Sequence, residues 1–184
     1  KIEMFDKSVA TVPTVDLVSS QVTNHMAMLA TGTRQIKRSI SFNVNSFNFC
    51  NEEMLNQFED ITLIHHYIHN KRKEIQLHNQ AIDKSDLDIN GRTLTNIGVF
   101  RIYVEHYLKS LTTISHHDSI MVKQLPVTPL GMPLEIICFT NSTTNLEFER
   151  IQSDIFDHLL TACRKFDLEI MQSFSLSDLK KYNT

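Results

Sequence analysis

Residues 145–166 constrain the fold of this chain more than any other stretch. Phe148, Ile151, Ile155, Leu159, Cys163 and Phe166 recur at spacings of three and four, so a helix gathers them into one apolar stripe. Glu149, Arg150, Asp154, Asp157 and Arg164 fall on the remaining surface. Thr144, with Glu147 three residues later, fits a capping box that would satisfy free amides at the helix start. Strand-like apolar runs bracket the helix, Leu134–Phe139 before it and Leu168–Met171 after it. A helix between two strands covers a sheet face, because its stripe has nowhere else to go. The chain is therefore expected to be α+β.

The remaining elements extend that expectation. Ser8–Val12 reads as a short strand stopped by Pro13, Val15–Ser20 has no long periodicity, and Val22–Leu29 is a second candidate strand. Thr31-Gly32-Thr33 is a turn. Ser39–Asn45 alternates cleanly, with Ile40, Phe42 and Val44 on one side, which predicts a half-buried strand. Across Asn51–Ala81, Met54, Phe58, Ile61, Ile64 or His65, Ile68 and Ile75 form a helical stripe with polar flanks: one or two exposed amphipathic helices. Asp83–Asn90 reads as a loop. Arg92–Leu111 carries a helix with Ile97, Phe100, Val104, Tyr107 and Leu111 inward and Thr95 or Asn96 as N-cap. Ser119–Leu125 and Leu134–Thr140 read as strands joined by a Pro- and Gly-containing hairpin loop, and Leu168–Gln172 as the last strand. Residues 175–184 form a polar tail with room for a turn at Leu176–Lys180. From Arg38 the order is strand, helices, strand, strand, helix, strand, the βαββαβ arrangement of ferredoxin-like domains, with a helical insertion at about residues 50–91.

The 184 residues carry a net charge of −3, which provides no electrostatic footprint for nucleic acid. No apolar run approaches the roughly 20 residues of a membrane-spanning helix, and the first residues lack a signal peptide's apolar core and a start methionine. The chain is expected to be a piece of a longer protein. Cys138 and Cys163 sit in apolar patterns and Cys50 is isolated, which points to reduced thiols and a cytosolic setting.

Motifs of chemistry are sparse. With four glycines in all, the chain has no phosphate-binding glycine loop and no Gly-x-Ser-x-Gly elbow, and Cys-x-x-Cys does not occur. His65 and His69 share a helical face, with His66 between them and His78 further on, but zinc wants a third ligand, so they read as solvated histidines. His116-His117-Asp118 falls in a loop before a strand, where such residues serve a turn. Asp154 and His158 form an i, i+4 surface pair. Arg34, Lys37 and Arg38 read as a solvated strand edge that resists aggregation. No catalytic, cofactor-binding or metal-binding residue is assigned, and no cofactor is expected. A metal-dependent enzyme built on His65 and His69 and a small-molecule-sensing domain are the alternatives to a non-enzymatic role.

Five segments carry a family resemblance. Gly91–Tyr103 (Gly-Arg-Thr-Leu-Thr-Asn-Ile-Gly-Val-Phe-Arg-Ile-Tyr), Met121–Pro126, Gly131–Ile136, Ile151–His158 and Ile36–Asn43 resemble the cytoplasmic region of small-conductance mechanosensitive channels, in particular their bacterial miniconductance branch. Ser8–Thr14 fits the same branch, and the likeness is loosest over Asn51–Lys84. The resemblance implies that residues 1–37 are the remnant of an Sm-like β domain and 38–174 the ferredoxin-like domain, with membrane helices upstream of Lys1. It implies a homo-heptamer on the cytoplasmic face of the bacterial inner membrane, without nucleic acid, forming a vestibule for ions and small osmolytes released on osmotic downshock.

Overall fold

Residue 133 aside, the middle of the sheet is an uninterrupted apolar alternation. In Met132–Thr140, Met132, Leu134, Ile136, Cys138 and Thr140 all point to one side and are all buried. This strand lies at the centre of a three-stranded antiparallel sheet in a computed structural model that describes residues 2–3, 9–10, 31–80 and 90–172.

The chain divides into two compact units, Lys1–Gly32 and Thr33–Thr184. In the first, β1 (Ile2–Glu3) and β2 (Val9–Ala10) pair antiparallel, with Ile2 opposite Ala10 and Glu3 opposite Val9. Part of the expected strand at Ser8–Val12 is thus present. The expected strand Val22–Leu29 and the stretch Val15–Ser20 lie outside the described residues, as do most of the loop 83–90 and the tail 175–184. Gly32 takes the left-handed backbone (φ +70°) at the expected turn.

The second unit runs β3 (Arg34–Phe42), α1 (Glu52–Glu59), α2 (His65–Gln80), α3 (Asn96–Ser110), β4 (Met121–Gln124), β5 (Met132–Thr140) and α4 (Asn145–Ala162). Its sheet order is β3-β5-β4, all antiparallel. The expected boundary between residues 37 and 38 falls inside β3, because the ladder with β5 already begins at Arg34, opposite Thr140. At the other end the expected strand Ser39–Asn45 stops early. Asn43 turns its side chain onto the amide of Asn45 (3.1 Å), which starts a 3-10 turn at Val44–Ser46 and leaves Val44 exposed.

The expected last strand is a single bridge. Ile170 pairs with Phe42, through Asn43 N–H to Glu169 C=O and Met171 N–H to Ser41 C=O, both 2.8 Å. Three regular strands and one bridge therefore replace the four strands read from the sequence. The bridge lies on the far side of β3 from β5, so the full lateral order is residue 170, β3, β5, β4.

One core joins both long helices to the same sheet face. Ile36, Ile40, Phe42, Val122, Leu134, Ile136 and Cys138 pack with Val99, Phe100, Val104 and Leu108 of α3 and with Ile151, Ile155 and Leu159 of α4. All six stripe residues named for the 145–166 helix are buried. Phe156, off that stripe, is buried as well, because the Arg38 guanidinium lies 4.5 Å above its ring. Arg34 covers Phe148 likewise at 3.8 Å. Thr144 is the N-cap of α4, but its side chain makes no capping bond and Glu147 accepts from the Ser142 hydroxyl instead (2.8 Å). The capping box is thus replaced by a bond into the preceding loop. The expected insertion is two helices, not free of the core: Phe58 of α1 stacks on Phe166 at 4.9 Å, and Ile64 and Ile68 are fully buried.

Candidate functional site

The histidines named from the sequence go to separate places. At the α1–α2 junction the His65 ring Nδ1 lies 2.7 Å from the Glu59 carbonyl, and His69 Nδ1 lies 3.0 Å from the Glu59 carboxylate. Arg72 donates to the same carboxylate at 2.7 Å and also reaches Asn56 and Glu52. Arg72 first, and then His69, holds the Glu59 carboxyl below its usual range. His65 and His69 do share a face, with nearly parallel rings 6.2 Å apart. Each spends Nδ1 on Glu59, so the pair serves to join two helices. Among the described residues no group of three His, Cys, Asp or Glu side chains is placed to hold a metal ion.

His116 lies in the loop before β4, with Nε2 3.3 Å from the Leu111 carbonyl, while the Asp118 amide donates to the Ser115 hydroxyl. These are turn contacts, as expected. The basic cluster is split by the pleat of β3: Arg34 and Arg38 cover aromatic rings of α4, whereas Lys37 projects from the opposite sheet face toward Glu135 at 3.7 Å. Among the described residues β3 is bridged on its other side only at Phe42, so the cluster does stand along a strand edge, with two of its three cations folded onto aromatic rings.

His158 turns away from Asp154 and joins α4 to α3. Its Nε2 is 2.6 Å from the Tyr103 hydroxyl, and its ring stacks on Tyr107 at 4.1 Å between centroids. Loss of water around the imidazole lowers its pKa. A shallow cavity of about 330 Å³ opens beside it, walled by Ile61, Phe166, Thr161 and Lys165. The Tyr-x-x-x-Tyr spacing of α3, one helical turn, is the sequence signal for this contact. All three cysteines are buried free thiols, and burial pushes the Cys50 thiol up to about 11 and the Cys138 thiol to about 12.

A second cavity, about 340 Å³, lies between α2 and the start of α3 and was not legible in the sequence. Lys71, Arg92 and Arg101 contribute positive charge to its wall, and Glu74 is the acidic residue there. Lys71 and Arg92 each take one oxygen of Glu74, at 2.7 and 3.1 Å. These cations come from two helices and a loop, so no local motif announces them.

No helix among the described residues is long and apolar enough to cross a membrane. No protein-family model matches the chain. The second unit is a mixed α+β domain whose three-stranded antiparallel sheet carries α3 and α4 on one face.

Proposed function

We propose that this chain is the soluble vestibule portion of a bacterial mechanosensitive channel of the small-conductance family, a non-enzymatic cage through which ions and small osmolytes reach a pore formed elsewhere in the protein. The resemblance over residues 91–103, 121–126, 131–136 and 151–158 carries this reading. The lateral order supports its fold component. Labelling the strand-like segments A to D in chain order, they lie D-A-C-B, all antiparallel, with α3 and α4 on one face. That order supports reading the unit as a ferredoxin-like βαββαβ domain whose fourth strand is reduced to a bridge.

Patch-clamp recording of membranes expressing the full gene is the test. A tension-activated current, with survival of osmotic downshock restored in a channel-deficient host, is the expected result. A gene with no apolar segments upstream of Lys1, or full-length protein in the membrane without tension-activated current, would end this reading. The second reading is a regulatory module that senses a small molecule. The cation-lined cavity between α2 and α3 is the observation in its favour, and ligand binding by a protein without channel activity would select it.

A further inference from the structure

The cavity between α2 and α3 has more positive charge than its own carboxylate can neutralise. Glu74 is shared: its two oxygens are each taken by a different cation, Lys71 and Arg92. Arg101, half-buried in the same wall, forms no ion pair among the described residues. Among the described residues, three cations against one carboxylate leave a surplus of two positive charges around a half-enclosed space. Like charges gathered around one concave space repel even where they reach solvent, and an anion placed among them relieves that repulsion. The guanidinium of Arg92 keeps donors beyond the one on Glu74, and that of Arg101 has five, the fork geometry that suits tetrahedral oxyanions.

Two of the three cations also act together on Tyr67, which lines the same wall. Lys71 and Arg101, although on different helices, both favour ionisation of the Tyr67 phenol, against the larger effect of burial, which raises its pKa. The amides of the first turn of α3 are already bonded. The Gly98 amide donates to Thr95 Oγ1 and the Ile97 amide to Asn96 Oδ1, so the side chains must do the binding.

We propose that this cavity is a binding site for a small doubly charged oxyanion of the phosphate class, held by Lys71, Arg92 and Arg101. At about 340 Å³ it accommodates inorganic phosphate or the phosphoryl end of a small metabolite. The proposal stands on the cavity alone and holds under either reading of the domain's role, so its failure leaves the channel reading untouched.

Isothermal titration calorimetry on the chain tests it, with inorganic phosphate and glycerol 3-phosphate as separate probes and sodium chloride as the ionic-strength control. Saturable binding by at least one probe, weakening as salt is raised, is expected. Arg101→Gln should weaken it about tenfold with an unchanged circular dichroism spectrum, because it removes a cation that holds no structural ion pair. Glu74→Gln should tighten it several-fold, since the competing carboxylate is gone. Tighter binding of glycerol 3-phosphate would assign the site to a phosphorylated metabolite, and equal or weaker binding to the free ion. No saturation by either probe up to about 10 mM, or equal affinity in the parent and Arg101→Gln, would overturn the proposal.

Discussion

Asn96 is the polar residue on which the second unit turns, and replacing it tests how the fold is joined. It is fully buried at the first turn of α3. Its Nδ2 donates to the carbonyls of Ser46 (2.8 Å) and Phe166 (3.1 Å), and its Oδ1 accepts from the amides of Asn48 (3.0 Å) and Ile97 (2.8 Å). One side chain thus ties the turn after β3, the start of α3 and the turn after α4. A buried hydrogen bond contributes about 1 kcal/mol net, and a buried group left without a partner costs about 1–3 kcal/mol. Asn96→Ala removes all four bonds and strands the buried Phe166 carbonyl, while the Ser46 carbonyl keeps Asn48 Nδ2 at 3.2 Å, so a loss of roughly 3–5 kcal/mol is expected. For a domain of this size that lowers Tm by about 10–15 °C.

Asn96→Asp separates the two halves of the argument. Its carboxyl could still accept from Asn48 and Ile97, but the second oxygen would face two carbonyl oxygens. Only the protonated acid can donate there, so its folded pKa should rise above the ordinary carboxylate value of about 3.9. A raised folded pKa contributes stability that is full below the unfolded value and lost as pH rises through the folded one. Asn96→Asp should therefore unfold more readily at about pH 7 than at about pH 4.5 relative to the parent. Urea denaturation at the two pH values measures both effects. An Asn96→Ala variant within about 1 kcal/mol of the parent, or a pH-independent deficit in Asn96→Asp, would refute the reasoning.

Three further outcomes are expected. Gly131 has φ +88°, and a Cβ there would lie 2.3 Å from the Phe42 carbonyl oxygen, so Gly131→Ala should cost at least about 2 kcal/mol, read as a fall in thermal midpoint. His158 is held neutral by burial, with its folded pKa below 6.5, so the folded state binds fewer protons and stability should fall as pH drops through 6.5 toward that lower value. The charged groups nearby are Asp154 on its own helix and Lys165 in the adjoining wall; nuclear magnetic resonance titration of the ring should give the lowered midpoint, and His158→Gln should flatten the stability profile. Finally, Ile170→Pro retains the inward bonds of Glu169 and Met171 and deletes an outward amide, so it should leave the fold intact and weaken any self-association seen by light scattering against concentration.

Legibility in the sequence followed the range of the interaction. The stripe from Phe148 to Phe166 was readable because helix periodicity is local, and all of it is buried. The α3 stripe was readable only in part: Tyr107 and Leu111 are half-buried, while Val99, Tyr103 and Leu108 are buried too. That helix packs on two sides, against the sheet and against α4 with its following turn, so one stripe could not describe it. Thr95 and Asn96 were both readable as caps, but Thr95 caps Gly98 and Asn96 turns inward to groups 50 and 70 positions away. The stacking of Arg34 and Arg38 on Phe148 and Phe156, and the convergence of Lys71, Arg92 and Arg101, are likewise contacts between distant segments. Periodicity reports which face is apolar; it carries no record of what the opposite element brings.

The two edges of the sheet differ in how they resist further pairing. β4 carries exposed Lys123, which reaches the Glu135 carboxylate at 3.1 Å and keeps a charge beside that edge. Charged side chains on an edge strand discourage addition of another strand. On the opposite side β3 is itself the edge among the described residues except at Phe42, where the 168–172 segment covers it with bonds from the Glu169 carbonyl and the Met171 amide. The antiparallel pleat then directs the main chain of Ile170 outward, and the one charged side chain in Leu168–Gln172, Glu169, is tied to Asn43 Nδ2 at 3.0 Å. An edge of that kind favours pairing with a strand of a neighbouring subunit, which a closed ring satisfies for every copy at once. The ring assembly that the family resemblance implies would then use the C-terminal edge, with the segment around Ile170 dividing its hydrogen bonds between its own sheet and a neighbour.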